Sequence, residues 1–258
     1  MQPRVYTPAM QGKGEFDGGK IHEQKPIGFS GEGSVIKRVG PLFYWAWGTS
    51  SMDAVIGLHP HEGFEILTYV VEGQSSHKDT MGTDSAVGAG GVQIMQTGSG
   101  VSHQEKLSPD TEFFQIWFEP YLAEAMLRKP TYRQYEHKDF PQESHTTDYK
   151  VKTVIGSGAP IELVADAEMW DVEVSGGAGY EHTVPAGYTL TALAIRGDGA
   201  WGEAGAAKQP IPFHHKDFIV GYADSDTTVE ITNPNEGMLR LILIKVPTTV
   251  SYPLQPKR

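Results

Sequence analysis

No cysteine occurs in the 258 residues. Disulfides and thiolate metal sites are therefore excluded outright. There is also no run of eighteen apolar residues, so no transmembrane helix is expected. The first residues, Met1-Gln2-Pro3-Arg4-Val5-Tyr6, lack the apolar stretch of a secretory signal. A cytoplasmic protein is the simplest expectation from these absences. Basic charge is scarce. Lys and Arg total 21 against 32 Asp and Glu, a formal net charge of −11. The dipeptides Lys37-Arg38 and Lys257-Arg258 are too small to mark a nucleic-acid face. A surface this acidic repels phosphates, so direct nucleic-acid binding is not expected. Helical patterning is sparse too. Leu122-Ala123-Glu124-Ala125-Met126-Leu127 reads as one short helix, followed by Lys129-Pro130.

What the chain does have is strand patterning. Hydrophobic residues make up 39% of it, enough for one large or two medium domains. Residues 1–30 are weakly patterned and read as an arm with one short strand. Ser34–Val39 and Leu42–Trp47 look like strands. Phe43, Trp45 and Trp47 share a face by alternation, and core packing is preferred over a substrate-stacking wall. The run Glu62–Gly73 is rich in β-branched and aromatic residues and ends in Glu72-Gly73, a plausible turn. Val92–Met95 and Phe113–Phe118 read as buried strands. Strands every 8–12 residues with glycine punctuation indicate an antiparallel barrel or a sandwich.

Two motifs on this frame carry chemistry. His59-Pro60-His61 and His103-Gln104-Glu105 each place two ligand-type residues at i, i+2. On an extended strand such residues project to the same face. Two neighbouring strands would then aim three imidazoles and one carboxylate at a common point. Three neutral nitrogens and one anionic oxygen make a good set for a divalent transition metal, and they leave positions open on an octahedral ion. The expected ligands are His59, His61, His103 and Glu105. His77 lies near Asp79 and either hydrogen-bonds a ligand or substrate or sits at a hairpin tip. Met52, Met95, Phe64 and Gln115 are candidates for the cavity lining.

The segment from Gly57 to Phe118 resembles the pirin family of the cupin superfamily. The residues that carry the likeness are His59-Pro60-His61-Glu62-Gly63-Phe64-Glu65, Thr68-Tyr69, Glu72-Gly73 and His77-Lys78-Asp79. They continue with Gly98 to Glu105, Gln115-Ile116-Trp117 and the linker Lys129–Gln134. The resemblance covers roughly residues 30–140 well and the remainder weakly. It implies an all-β bicupin fold, two antiparallel, jelly-roll-like β-barrel domains. Residues 1–130 are then the metal-binding domain, 131–148 a linker and 149–258 a cupin-like domain without metal ligands. Many other cupins use a glutamate a few residues after the HxH pair, which here is Glu65. Pirin-like proteins use the glutamate of the later pair, so the resemblance favours Glu105. Two family features depart here. The Asp-Pro-Phe-rich strand appears as Pro41–Trp47, and the cupin Pro-Gly-Asp turn as Ala89-Gly90-Gly91.

A second series of strands is expected at Tyr149–Ile155, Ile161–Val164 and Met169–Val174, and this half echoes the first. Thr183–Gly197 can be laid over His59–Gly73, so that Gly187 meets Gly63, Tyr188 meets Phe64 and Gly197 meets Gly73. His59 and His61 become Thr183 and Pro185, which removes the ligand pair. The second barrel is expected to be packed with residues such as Leu190, Leu193, Ile195 and Leu241. His214-His215 are adjacent, would point to opposite faces of a strand, and read as a turn before Asp217.

The resemblance implies a metal-dependent dioxygenase of quercetin 2,3-dioxygenase type, acting on a flavonol or similar enolisable aromatic together with O2. Fe(II) is the first expectation for the ion, with Mn(II), Ni(II), Zn(II) and Cu(II) as alternatives. Glu105 would serve as ligand and as proton acceptor, the catalytic role. The alternative reading is a non-enzymatic, metal-binding regulatory protein resembling transcription-cofactor pirins, with a protein partner. The two differ in whether an open cavity reaches the metal.

Overall fold

In the computed structural model the described residues are 1–145 and 147–256. Lys257 and Arg258, the second basic dipeptide, lie outside them. The chain divides into two compact units. One comprises Met10–Asp139, Leu163–Ala165 and the C-terminal residues from Ser251; the other comprises Met1–Ala9, Phe140–Glu162 and Asp166–Val250.

In the Met10–Asp139 unit a seven-stranded antiparallel sheet runs in the spatial order Thr131–Tyr135, Val92–Gln96, Glu65–Glu72, Thr111–Phe118, Leu42–Ser50, Ile21–Ile27 and Gly12–Phe16. A four-stranded sheet faces it, in the order Ala54–His61, Val101–Leu107, Gln74–Asp79 and Asp84–Gly88. Side chains from both sheets meet between them, as in the cluster of Ile66, Met95 and Val101 and that of Ile21, Ala54, Leu107 and Phe113. Thr111–Phe118 is central, hydrogen-bonded to neighbours on both sides, which suits its nearly continuous apolar run. Phe113, Phe114 and Phe118 are fully buried, and each ring contributes roughly 1.5–3 kcal/mol. Phe43, Trp45 and Trp47 are buried as well.

The other unit repeats this plan. Its large sheet runs Arg4–Tyr6, Phe218–Tyr222, Tyr188–Arg196, Leu239–Pro247, Glu168–Val174, Tyr149–Ile155 and Gln142–His145. Its small sheet runs Gly179–Val184, Thr227–Thr232, Gly199–Glu203 and Ile211–Phe213. Position by position, Glu65–Glu72 corresponds to Tyr188–Arg196, and Ala54–His61 to Gly179–Val184. The faint repeat in the sequence therefore joins equivalent strands. Its glycines repeat in conformation as well, with φ of 81° and 82° at Gly63 and Gly187, and 77° and 73° at Gly73 and Gly197. A side chain is strained in that region of φ, so glycine recurs at both turns. The chain is thus all-β, with two barrel-like units built on one plan. Leu190 and Leu241 lie in the second barrel's core cluster, and Leu193 and Ile195 are also fully buried.

Three local expectations differ from what is found. Residues 1–30 hold three strands rather than one, and the first, Arg4–Tyr6, pairs with Phe218–Tyr222 within the unit that holds both. Ser34–Val39 is not a strand. Its Ser34 hydroxyl accepts from Gly12 N and donates to Lys25 O, which ties the segment by side-chain bonds in place of a ladder. Ile161–Val164 is also irregular, because the Val164 and Ala165 amides are taken by the Glu65 carboxylate.

Candidate metal centre

Ala54–His61 and Val101–Leu107 pair antiparallel, with His59 opposite His103 and His61 opposite Val101. Strand alternation sends all three imidazoles to one side. One ring nitrogen from each lies within 4.8 Å of the others. Ring centroids are 4.4 Å apart for His59–His103, 4.7 Å for His59–His61 and 5.0 Å for His61–His103. Nitrogens that share one ion are at most about 4.2 Å apart, so the cluster is close to a ligating arrangement.

The surroundings suit the neutral, ligating form of His61 and His103. Burial first, and then the neighbouring His59, push the His61 pKa down to about 4. Burial, with His59, His61 and His77 nearby, pushes His103 down to about 2. His59 Nδ1 lies 2.7 Å from the Gly57 carbonyl, which can only accept. That bond puts the proton on Nδ1 and leaves Nε2 with its lone pair. His61 Nε2 is buried with no hydrogen-bond partner. A buried polar nitrogen without a partner is costly, and an ion at the cluster would satisfy it. The three residues therefore could hold a divalent metal ion.

The two carboxylates in question, Glu105 and Glu65, are both held by hydrogen bonds. Glu105 falls outside the three-nitrogen group. A register shift between His103 and Glu105 breaks the regular pairing with Ala54–His61. The Glu105 side chain is buried, and its Oε1 accepts from Gln115 Nε2 at 2.5 Å and from Thr68 Oγ1 at 3.5 Å. Burial first, and then Glu23, raise its pKa to about 7, against the lowering effect of Thr68 and Gln115. Glu65 is committed to structure. Its Oε1 accepts from Gln96 Nε2 at 2.6 Å and Val164 N at 2.8 Å, and its Oε2 from Ala165 N at 2.9 Å.

His77 is not a hairpin-tip surface residue. It is buried beside the cluster, with Nδ1 at 3.3 Å from His103 Nδ1 and Nε2 at 2.9 Å from Asp79 Oδ2. Burial holds its pKa below the usual value, opposed by Asp79. Asp79 sits below its own usual value. Burial pushes it up, but hydrogen bonds from His77, Thr83 and Met81 outweigh that.

A cavity of about 680 Å³ reaches His61 and is lined by Pro60, Glu62, Phe64, Thr80 and the turn Ser99–Ser102. The Phe64 ring stacks on Trp117 at 5.1 Å and 25°, and Trp117 lies 5.2 Å from His61. Of the proposed lining residues, Phe64 is on this cavity, Met52 is half exposed, Met95 belongs to a core cluster, and Gln115 is held against Glu105. Trp117 and Tyr132, which in the sequence carry only the family likeness, also lie at the site. Trp117 donates from Nε1 to Gln115 Oε1 at 3.0 Å, and Tyr132 stacks on His77 at 4.1 Å. One signal was available: Gln115 is the single neutral polar residue in the apolar run Phe113–Phe118. In the other unit, His214 is exposed and bonded to Asp198, in the turn preceding Asp217.

Residues 38–118 match the family model described as Pirin. Over that segment the chain is similar to the pirin family. A curated relative, Pirin-like protein 2 of Arabidopsis thaliana, is 29% identical over 195 residues, covering 72% of this chain and 59% of that one. A quercetin 2,3-dioxygenase of Escherichia coli K12 is 48% identical over 67 residues, 25% of this chain and 29% of that one. The chain spans about half the length of several of the curated relatives it matches. Among solved structures, the bacterial pirin YhhW of Escherichia coli in complex with nickel(II) superposes with a TM-score of 0.74 at 18% identity, over 95% of this chain and 99% of that one. That likeness is one of fold. No helix among the described residues is long and apolar enough to cross a membrane.

Proposed function

We propose that this protein is a cytoplasmic, metal-dependent dioxygenase of quercetin 2,3-dioxygenase type, acting on a flavonol or similar enolisable aromatic with O2. The observation that carries the reading is a three-histidine cluster whose His61 lines a cavity of about 680 Å³. That volume lies within the usual range for small-molecule sites, whereas a purely regulatory metal site has no need of it. In this reading His59, His61 and His103 hold the ion, with Glu105 as the fourth ligand. Three imidazoles and a carboxylate favour Fe(II), Mn(II) or Ni(II) over softer ions, and Fe(II) is our first choice. The nickel(II) bound by the Escherichia coli neighbour supports an ion of this class.

An ion held there would favour the ionised form of a flavonol hydroxyl and supply the chemistry that brings dioxygen to it. The chain's own residues do the rest. Phe64 offers a flat apolar face on the cavity for a planar substrate. Glu105 accepts the hydroxyl proton, since its raised pKa of about 7 suits a base working near neutral pH. Gln115 and Thr68 hold the carboxylate in place meanwhile.

The test is anaerobic loading with Fe(II), Mn(II) and Ni(II) in turn, followed by flavonol and oxygen. The expected result is loss of flavonol absorbance with equimolar O2 consumption. If every loading gives confirmed metal occupancy and no turnover above free metal, the dioxygenase reading fails in favour of a metal-binding regulator.

A further inference from the structure

The proton positions in the buried chain Asp79–His77–His103 follow from its hydrogen bonds. Asp79 Oδ1 accepts the backbone amides of Met81 and Thr83 at 2.9 and 3.0 Å, and Oδ2 faces His77 Nε2 at 2.9 Å. An ionised carboxylate only accepts. His77 Nε2 must therefore carry a hydrogen. A neutral imidazole donates from one nitrogen and accepts at the other, so His77 Nδ1 is an acceptor. It faces His103 Nδ1 at 3.3 Å, and His103 Nδ1 must then be the donor. That leaves His103 Nε2 with a bare lone pair. Tyr132 stacks on the His77 ring at 4.1 Å and 18°, and the His77 and Asp79 side chains are 3% and 0% exposed, so the chain has little freedom to reorient.

We propose that Asp79 and His77 are positioning residues that fix the tautomer of His103 so that its Nε2 is free to ligate. The inference rests on the metal reading given above, and it deepens that reading by naming what sets the ligand's proton. Partners beyond the ligands are known to orient metal-binding histidines in this way. The orientation here is relayed through a second imidazole, which makes its polarity reversible. Asp79→Asn keeps the size of the side chain. Its Oδ1 stays with the two backbone amides, because turning the amide group toward them would set donor against donor. Its Nδ2 would then donate to His77 Nε2. His77 must answer by carrying its hydrogen on Nδ1, and His103 by moving its hydrogen to Nε2, toward the cluster. The chain reverses with no change in net protons.

The experiment is a long-range ¹H–¹⁵N correlation spectrum of the metal-free, ¹⁵N-labelled protein, read alongside the affinity for Ni(II) in competition with a chelator. Wild type should show His77 as the Nε2–H tautomer and His103 as Nδ1–H. Asp79→Asn should invert both, and its Ni(II) affinity should fall by about 10–100-fold. His77→Phe keeps a ring against Tyr132 and removes the relay; its His103 should show a mixture of tautomers and a smaller loss of affinity. Nε2–H on His103 in the wild type would overturn the proposal. So would a fall in affinity in Asp79→Asn with the His103 tautomer unchanged, which would mean a structural role alone. Failure of the wild type to bind Ni(II) would overturn the metal reading instead, and the metal-free spectra would still decide the relay.

Discussion

Replacing Glu65 by Gln separates a structural carboxylate from a ligand. Glu65 is 1% exposed and accepts three hydrogen bonds, two of them from the backbone amides of Val164 and Ala165. Glutamine keeps one acceptor oxygen and turns the other into a donor. At least one buried donor then loses its acceptor and faces another N–H. Such a loss costs about 1–3 kcal/mol, toward the upper end where the acceptor was charged. Burial already raises the Glu65 pKa. Removing a buried charge offsets part of the penalty, and the net cost is about 2 kcal/mol. Hydrogen exchange at Val164 and Ala165 reads this locally, and 2 kcal/mol corresponds to roughly thirtyfold faster opening. Metal content should be unchanged. Exchange at wild-type rates, or loss of bound metal with exchange unaltered, would refute the assignment.

Glu105→Gln should lower flavonol turnover by roughly 10²–10⁴ while Gln115 Nε2 keeps its acceptor; turnover within a few-fold of wild type under saturating substrate would dismiss Glu105 as the base. A pH effect is expected from His182 in the second barrel. Burial first, and then Lys245, lower its pKa from 6.5 to about 4. The unfolded chain therefore takes up the proton first as pH falls. The stability that His182 contributes is complete above pH 6.5 and is lost as pH drops toward 4, by at most about 3 kcal/mol. His182→Gln should flatten that part of the pH–stability curve in urea unfolding, and an identical curve would exclude the assignment.

The parts of the site written in short spacings were legible. His59-x-His61 and His103 lie on paired strands, and period-two alternation is enough to bring their rings together. The repeat was legible from Gly63/Gly187 and Gly73/Gly197, because positive φ leaves a mark on residue type. The hydrogen bonding of Glu105 was not legible: the register shift after His103 is a pairing property that no single strand records, and its oxygen is held by Gln115 of the other sheet. Ser34–Val39 and Ile161–Val164 have strand-like composition. Their backbone groups are claimed by distant side chains, Ser34 folding back on Lys25 and Glu65 reaching Val164 across 99 residues of chain. Such long-range capture has no local signature. His77 stayed ambiguous for the same reason, since its burial comes from Tyr132, which arrives from the segment after the short helix.

Metal stoichiometry decides the central claim. Wild-type protein, stripped and reloaded with Fe(II) or Ni(II), should hold about one ion per chain by elemental analysis, with imidazole nitrogen coordination in X-ray absorption. His61→Ala and the double variant His59→Ala/His103→Ala should lose it. Equal metal content in wild type and the double variant would place the ion elsewhere and contradict the account.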